Sequence, residues 1–482
     1  MWEAHGLGEI SEFGGPDYPA IMLRILLLAP GCNPDSITGP LIGYSHGEAL
    51  ARLHTVTLVI RRDNEQAVRR RQPPFRAIEV VDLPWLDRIY GWCFRRIFRN
   101  NYRSQVLTAF NYLFCLAFEW QAWRQTRTRI MAGDFDVVLR LLPISSVLPS
   151  PFAFFLRRGP VPFVIGPING GLPWPTGFTQ AAKQKEWISN LRSFYRFLPF
   201  ARSTYRNAAA IIAGSSHTYT EFARYRDKLF FVPGENGINS SLYPTPSQSS
   251  QRSDRLELIF VGGLAPYKAC DLALRAATPL LQMGRAYFTV VGDGSERASL
   301  EQLIKSLGIE KVVAFFGMLS HGKVMQRLGA ADVLVFPSVR EFGGAVVFEA
   351  LAMGAVPVVA DFGGPGDIVN PEIGFKVSLT NEDDVVSQIE KVLAKLANDR
   401  ELLERLRQQG MRYARECLSW DWKAQVTSQI LAWAVGQGPK PDLQPPQDTV
   451  AKTVISPLTG TQAGSIFAHS TGLATPHLQT KS

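Results

Sequence analysis

The chain has 482 residues, of which 46% are hydrophobic and 19% are charged, so two or three domains with full hydrophobic cores are expected. Its five cysteines are widely spaced and odd in number, which argues against a disulfide framework or a cysteine metal site and fits a reducing cytoplasm. Because no uncharged apolar run reaches about 20 residues and no basic segment precedes a long apolar stretch, neither a transmembrane helix nor a signal peptide is predicted.

The formal net charge of +9 is unevenly distributed. Residues 22–240 contain 28 Lys and Arg against 14 Asp and Glu, whereas 241–482 contain 23 basic and 24 acidic residues. This asymmetry predicts an anionic partner for the first half of the chain.

The first half alternates short apolar runs with helical stretches. Residues 1–21 have no periodicity and are predicted to be disordered. Strands are predicted at 23–30, 56–60, 137–142, 162–165, 209–213 and 229–232. Such alternation is typical of a parallel sheet that is covered on both faces.

The same pattern restarts after a stretch rich in Ser, Pro and Gln. Strands are predicted at 256–261, 286–291, 312–316, 333–336 and 355–360, and helices at 271–281, 345–353, 402–417 and 420–434. The predicted fold class is α/β, with two doubly wound domains that face each other across a cleft. The predicted divisions are a first domain at 22–238, a linker at 239–255, a second domain at 256–420, a C-terminal helix at 421–435 that could cross back, and a disordered tail at 436–482.

Two glutamates are the most informative residues. Glu341 lies in a predicted strand-to-helix loop, Gly343 and Gly344 open the helix, and Glu349 lies further along it. The first turn of a helix has free backbone N–H groups that favour an anion. Carboxylates spaced by on the order of 10 Å suit a nucleotide-sugar, with hydroxyls at each end and phosphates between. Either acid could instead be a solvated surface group, but Glu349 interrupts an apolar helix and therefore needs a partner.

Two further glycine-rich turns follow predicted strands. One runs from Gly262 to Lys268, and the other contains Gly292 and Gly294. Loops of this kind can hold a diphosphate, with Lys268 as a point charge, although a glycine turn alone is weak evidence. In open α/β sheets ligands bind beyond the carboxyl ends of the strands, so several such loops predict a pocket.

With these motifs the second half resembles glycosyltransferase family 4, a retaining group with the two-domain GT-B fold. The resemblance covers about 255–420 well and 22–240 more weakly, where 166–171 and 235–238 also look like this family. It rests on the glycine loops after 261 and 291, Phe316-Gly317, Phe336-Pro337-Ser338, the pair Glu341 and Glu349, and Gly363-Gly364.

The resemblance implies a role for each matching residue. Glu341 would act in catalysis by contacting donor-sugar hydroxyls, and Glu349 would bind the ribose. The diphosphate would be held by backbone N–H groups near Gly343, Gly344 and Ala345, by Lys268, and by the loops at Gly263 and Gly292, while the loop after Gly317 would border the nucleobase. The family retains anomeric configuration and needs no cofactor or bound metal, since cations and helix dipoles stabilise the leaving group.

The sequence departs from the family pattern at two places. Many members carry an Arg where Gly263 stands, and Arg340 is a candidate substitute. Many also have a His at the end of a first-domain strand, which the segment 136–140 lacks. His46 is the remaining His near a predicted strand-end loop and is a candidate catalytic residue, although a lone His is more often structural. Gly43, Glu48 and Asn169 are candidates for the acceptor side.

Aromatic and cationic residues interleave in the first half. Phe94, Phe98 and Tyr102 are spaced by four, and arginines at 95, 99 and 103 follow the same spacing. A second cluster spans 183–206. On a helix, apolar faces flanked by Arg suit an anionic membrane surface, although an ordinary packed helix fits equally well. No motif supports nucleic-acid binding.

Together these features predict a cytoplasmic, metal-independent hexosyltransferase that could lie peripherally on the membrane. It would move a sugar from a nucleotide-sugar to a saccharide or lipid-linked acceptor in surface polysaccharide biosynthesis. Two alternatives remain open: a GT-B sugar-nucleotide epimerase or hydrolase, and a catalytically silent sugar-binding protein.

Overall fold

The computed structural model describes residues 21–36, 39–86, 88–89, 106–175, 178, 198–239, 243 and 254–445. Within these ranges two parallel β-sheets, each flanked by helices, make up most of the structure. The predicted aromatic and cationic stripe at 94–103, most of the cluster at 183–206 and most of the linker lie outside the described residues.

The first sheet has seven parallel strands in the order β3-β2-β1-β4-β5-β6-β7. Its strands are nearly all buried because runs rich in Val, Ile and Leu are covered by helices on both faces. The strands are β1 Arg24–Leu28, β2 Thr55–Arg61, β3 Ala77–Val81, β4 Val137–Arg140, β5 Phe163–Ile168, β6 Ala210–Ala213 and β7 Leu229–Phe231. The helices are α1 Gly39–Leu53, α2 Glu65–Arg70, α3 Val106–Met131, α4 Phe152–Phe155, α5 Ala201–Asn207 and α6 Ser216–Glu221.

The second sheet has six parallel strands in the order β10-β9-β8-β11-β12-β13. The strand order reverses between β8 and β11, which is where doubly wound folds bind ligands. The strands are β8 Leu256–Val261, β9 Ala286–Val291, β10 Val313–Phe315, β11 Val333–Phe336, β12 Val356–Ala360 and β13 Phe375–Val377. The helices are α7 Cys270–Gln282, α8 Arg297–Ser306, α9 His321–Ala330, α10 Ala345–Met353, α11 Gly363–Ile368, α12 Glu382–Asn398 and α13 Arg400–Cys417.

The chain crosses between the two sheets twice, and the crossings lie side by side. The backbone N–H of Ile238 donates to the carbonyl of Leu418 at 3.0 Å, and that of Trp420 donates to the carbonyl of Ile238 at 3.0 Å. The last helix, α14 Trp420–Ala434, then packs against α1, and its apolar face joins the core of the first domain. The segment after β7 is thereby held at the junction of the two domains.

The α/β fold class is confirmed, and α10 and α14 occupy the bounds expected from the sequence. Strands β3 and β13 had no predicted counterpart, and neither did helices α8, α9, α11 and α12 of the second domain. Helix α11 has the sequence GGPGDI, whose Gly and Pro disfavour a helix on propensity alone. Leu443, placed in the predicted tail, is buried and accepts a hydrogen bond from Phe231 N–H at 2.8 Å, so the packed chain continues past 435.

Of the helices in the described ranges, none combines the length and the apolar character needed to cross a membrane.

Candidate active site

The loop between β11 and α10 lies at the carboxyl edge of the second sheet. It contains Glu341, which is partly buried, and it ends at Gly344, whose φ of 56° turns the chain into α10. No side chain caps α10 among the described residues, so the N–H groups of its first turn face outward from the helix end. An uncapped helix N-terminus of this kind favours an anion, and the diphosphate site expected at Gly343, Gly344 and Ala345 stays a prediction.

Lys268 forms an ion pair with the carboxylate of Glu341. Lys268 ends the short 3₁₀ turn Pro266–Lys268 after β8, and its Nζ also lies 5.1 Å from the centre of the Phe336 ring. The side chains of Lys268 and Glu341 are only 16% and 20% exposed, so water screens this pair less than a surface pair. The cation predicted for the diphosphate therefore lies beside the acid predicted for the donor sugar.

The glycine loops of the second domain converge on the same edge. The N–H of Gly292 donates to the carbonyl of Gly317 at 2.9 Å, and the N–H of Gly262 donates to Val291 at 2.9 Å. Gly292 has a φ of 136°, and an added Cβ would overlap the carbonyl oxygen of Gly262, so this close approach requires glycine. Gly263 is exposed, with no atom nearer than 4.0 Å to an added Cβ.

Glu349 has a histidine partner. His321 Nε2, at the start of α9, lies 2.9 Å from Glu349 Oε1. This hydrogen bond raises the pKa of His321 above its usual value, although partial burial opposes the shift. The acid that interrupts the apolar helix α10 is thus paired within the protein, next to the loop that follows Gly317.

Arg340 lies between aromatic rings from both domains. Its guanidinium carbon is 5.0 Å from the Trp174 ring centre and 6.0 Å from that of Phe342. These distances are typical of cation–π contacts and do not show a phosphate site. The role of Arg340 as a substitute for the missing phosphate cation therefore stays a prediction.

Asn169 joins the first domain to the loop between β11 and α10. It follows β5, and its Nδ2 donates to Glu235 Oε2 at 2.7 Å and to the carbonyl of Phe342 at 3.3 Å. Its Oδ1 accepts from Ser215 Oγ at 2.8 Å and from Gly170 N–H at 2.9 Å. The predicted acceptor-side residue is therefore at the domain junction.

The environment of His46 does not support its predicted catalytic role. The segment from Gly43 to Glu48 is not a loop, because it forms the middle of α1. His46 is 2% exposed, its Nε2 lies 3.0 Å from Thr427 Oγ1, and its ring packs against Trp420. Burial lowers its pKa to about 3, so it stays neutral at physiological pH.

Gly43 and Glu48 face other parts of the first domain. An added Cβ at Gly43 would meet Leu142, so this position is one of close packing. Glu48 accepts from Tyr44 Oη at 3.0 Å and lies 3.6 Å from Arg52. Neither residue contacts the loops of the second domain in the hydrogen bonds and ion pairs of the described residues.

Four polar residues, three at the junction and one beside Glu349, had no assigned role from sequence. They are Glu235, His321, Asp367 and Lys423. Glu235 lies in the 235–238 segment that resembles the family, which was the one available signal. The other three are single polar residues whose partners come from distant parts of the chain, so no local pattern marks them.

Residues 245–413 match the model of the family described as glycosyl transferases group 1. This segment contains the glycine loops, Lys268, Glu341 and Glu349. Residues 245–413 therefore form a group 1 glycosyltransferase domain.

The chain is also similar to curated proteins. A glycosyltransferase described as uncharacterized from Methanocaldococcus jannaschii is 33% identical over 144 residues, which cover 30% of this chain and 37% of that protein. The D-inositol 3-phosphate glycosyltransferase of Streptomyces avermitilis is 30% identical over 250 residues, covering 47% of this chain and 52% of that protein. The chain thus spans about half the length, or less, of these relatives.

Solved structures resemble the glycosyltransferase domain together with the first domain. Sucrose-phosphate synthase from Thermosynechococcus elongatus superposes with a TM-score of 0.58 at 17% identity, covering 86% of this chain and 99% of that one. HepE from Anabaena, solved in complex with UDP, gives a TM-score of 0.56 at 17% identity, covering 85% and 100%. These similarities confirm the GT-B fold.

Proposed function

We propose that this protein transfers a sugar from a nucleotide-sugar to a hydroxyl group of a saccharide or lipid-linked acceptor. The observation that carries the proposal is the Lys268–Glu341 ion pair beside the uncapped first turn of α10. A cation and a helix N-terminus suit a diphosphate, and an adjacent carboxylate suits sugar hydroxyls. UDP-bound HepE shares the fold, which supports a nucleotide ligand.

In this proposal each residue does one task. Backbone N–H groups of the α10 first turn and Lys268 hold the diphosphate and stabilise the charge that develops as it leaves. Glu341 orients the sugar by accepting hydrogen bonds from its hydroxyls, and Glu349 accepts from the ribose. The positive charge comes from protein groups, so the proposed transfer uses no resident metal, and it retains the anomeric configuration as implied by the family resemblance.

The first experiment is a thermal-shift screen of UDP, GDP and ADP and their glucose conjugates. A ligand at 100 times its dissociation constant stabilises the protein by about 2.7 kcal/mol. At least one compound should raise the melting temperature of the wild type. Glu341→Ala should reduce the shift from the sugar conjugate and abolish turnover, whereas Glu372→Ala, at an exposed turn, should do neither. If no nucleotide binds, the proposed function is wrong.

Product analysis separates the alternatives. Formation of an isomer or of free sugar as the main product, with every acceptor tried, would favour an epimerase or hydrolase. Donor binding without any turnover would favour a sugar-binding protein.

We further propose that the first domain contacts an anionic membrane, which would present a lipid-linked acceptor for surface polysaccharide assembly. Helix α3 exposes Leu113 and Trp120, and α4 exposes Phe154, with 55%, 52% and 36% of their surfaces accessible. The Arg157 guanidinium lies 4.0 Å above the Phe154 ring, and Arg124 and Arg127 of α3 are also exposed. Exposed apolar side chains beside arginines are typical of interfacial helices.

Vesicle co-sedimentation tests this membrane contact. The wild type should bind vesicles that contain anionic lipid at low salt and should dissociate as salt is raised. Trp120→Ala should weaken binding, and Met283→Ala, an exposed apolar residue of the second domain, should not. Equal recovery with neutral vesicles, or none with anionic ones, would contradict the proposal.

A further inference from the structure

Glu235 lies where the two domains meet the loop between β11 and α10, which is the donor loop of the proposed function. It belongs to the segment that leaves β7 and crosses to the second domain. Its Oε2 accepts the hydrogen bond from Asn169 at 2.7 Å, and the same amide group also donates to Phe342 O in the donor loop. Because Ser215 and Gly170 fix the other end of the Asn169 amide, the Glu235 carboxylate is held in one orientation.

The second oxygen of Glu235 faces Gly343. A Cβ added to Gly343 would overlap Glu235 Oε1 and would lie 2.6 Å from Asn236 Nδ2. This contact places the carboxylate against the backbone that leads into the anion site of α10. Glu235 as a whole residue is half-buried, at the junction of the two domains.

Two charged groups act on Glu235 from neighbouring elements. Lys423 of α14 is 1% exposed and donates from Nζ to the carbonyls of Pro233 and Gly234, each at 2.8 Å, and it attracts the Glu235 carboxylate. Glu341 repels that carboxylate from the donor side. Burial is the largest influence and raises the pKa of Glu235, with the repulsion from Glu341 acting in the same direction. A carboxylate with a raised pKa accepts a proton more readily than one in water.

We propose that Glu235 is a further catalytic residue of the sugar transfer, where it accepts the proton of the attacking hydroxyl. The inference rests on the proposed function. As the acceptor O–H bond breaks, its oxygen bonds to the anomeric carbon, and the bond from that carbon to the phosphate breaks with its electron pair on the nucleoside diphosphate. Glu235 takes the proton and afterwards passes it to water or to the departing phosphate.

The test compares the wild type with Glu235→Gln and Glu235→Asp in the full chain. UDP-, GDP- and ADP-glucose are screened by thermal shift, and hydrolysis of whichever binds is followed by release of the nucleoside diphosphate between about pH 5 and pH 9. Glu235→Gln should bind the donor as the wild type does but hydrolyse it about 100-fold more slowly, without the acidic limb of the pH profile. Glu235→Asp should restore part of the rate. Glu372→Gln is the control for loss of a carboxylate.

The outcomes separate the two proposals. If the wild type binds no donor, the proposed function and this inference are both wrong. If the donor binds and Glu235→Gln keeps the wild-type rate and pH profile, or loses donor affinity as much as rate, the inference alone is wrong. A donor-bound wild type that releases no nucleoside diphosphate also contradicts it, because a base beside the anomeric carbon would serve water as well as an alcohol. If Glu235→Gln does not fold, Glu235→Asp decides the question. Its pH profile must then differ from that of the wild type, and an unchanged profile contradicts the inference.

Discussion

Lys268 and Glu341 form an ion pair between two different strand-to-helix loops of the second sheet. The cation follows β8 and the acid follows β11, the two strands between which the strand order reverses. Glu341 thereby neutralises the charge that the proposed diphosphate would use. The two residues should therefore affect nucleotide binding in opposite directions.

Lys268→Met should weaken UDP binding, because one of the charges that attract the diphosphate is lost. A decrease of about tenfold, or 1.4 kcal/mol, is the expected scale. Glu341→Gln should instead tighten UDP binding by removing a competing anion, while it slows turnover of the sugar conjugate. Isothermal titration calorimetry measures both affinities. Weaker UDP binding in Glu341→Gln would show that Glu341 does not compete with UDP for Lys268.

The hydrogen bond between His321 and Glu349 should make nucleotide affinity depend on pH. Because the pKa of His321 is raised by Glu349, protonated His321 holds this acid most strongly at low pH. A ribose that displaces His321 must release that proton, so affinity should increase from about pH 5.5 to pH 8. His321→Gln should flatten the increase, since the amide keeps a hydrogen bond without titrating. If His321→Gln leaves the pH dependence of nucleotide affinity unchanged, the ribose does not displace His321 from Glu349.

Asp367 of α11 should make the domain contact sensitive to pH. It accepts hydrogen bonds from Ser216 of α6, from N–H at 2.9 Å and from Oγ at 2.6 Å, across the domain junction. Burial is the largest influence and raises the pKa of Asp367 to about 6. The folded protein therefore keeps this proton at a pH where the unfolded chain, with a value of about 3.9, has lost it. Its contribution to stability is present below about pH 4 and is lost as the pH rises through about 6.

Asp367→Asn cannot ionise and should remove this pH dependence. The stability of the wild type relative to the variant should fall by at most about 3 kcal/mol between pH 4 and pH 7.5. Urea unfolding at the two pH values measures the difference. Asp293→Asn, at an exposed loop, is the matched control and should show no such change. If the stability of the wild type relative to Asp367→Asn instead increases with pH, the raised pKa of Asp367 is wrong.

The buried pair of Glu119 and Arg140 should be costly to break in the first domain. Arg140 Nε lies 2.9 Å from Glu119 Oε1, and the two side chains are 0% and 2% exposed. Glu119→Ala should destabilise the protein by about 3–5 kcal/mol, because it leaves an uncompensated buried charge. Glu119→Leu combined with Arg140→Met should cost less than either single change. Urea unfolding measures both, and an additive double variant would show that the residues do not interact.

Local sequence determined the fold class and much of the donor side of the candidate site. The runs 333–336 and 345–353 carry enough local signal to predict β11 and α10 from the sequence. Glycine-rich turns follow the predicted strands and permit close backbone approach. The sequence alone therefore places these loops near Glu341, at the carboxyl edge of the sheet. Strand β13, with only three residues, and the glycine-rich α11 have weak local preferences, and packing decides them.

Only the tertiary structure decided which polar groups meet. Asn169, Glu235 and Lys423 come from three distant parts of the chain, and their contacts depend on the two parallel crossings between the domains. The same crossings bring α14 against α1, which encloses His46 and removes it from the cleft. A hydrophobic pattern specifies which face of an element is buried, but it carries no information about the partner across that face. For that reason the sequence determined the donor loops, and the junction that joins them to the first domain was decided by the folded chain.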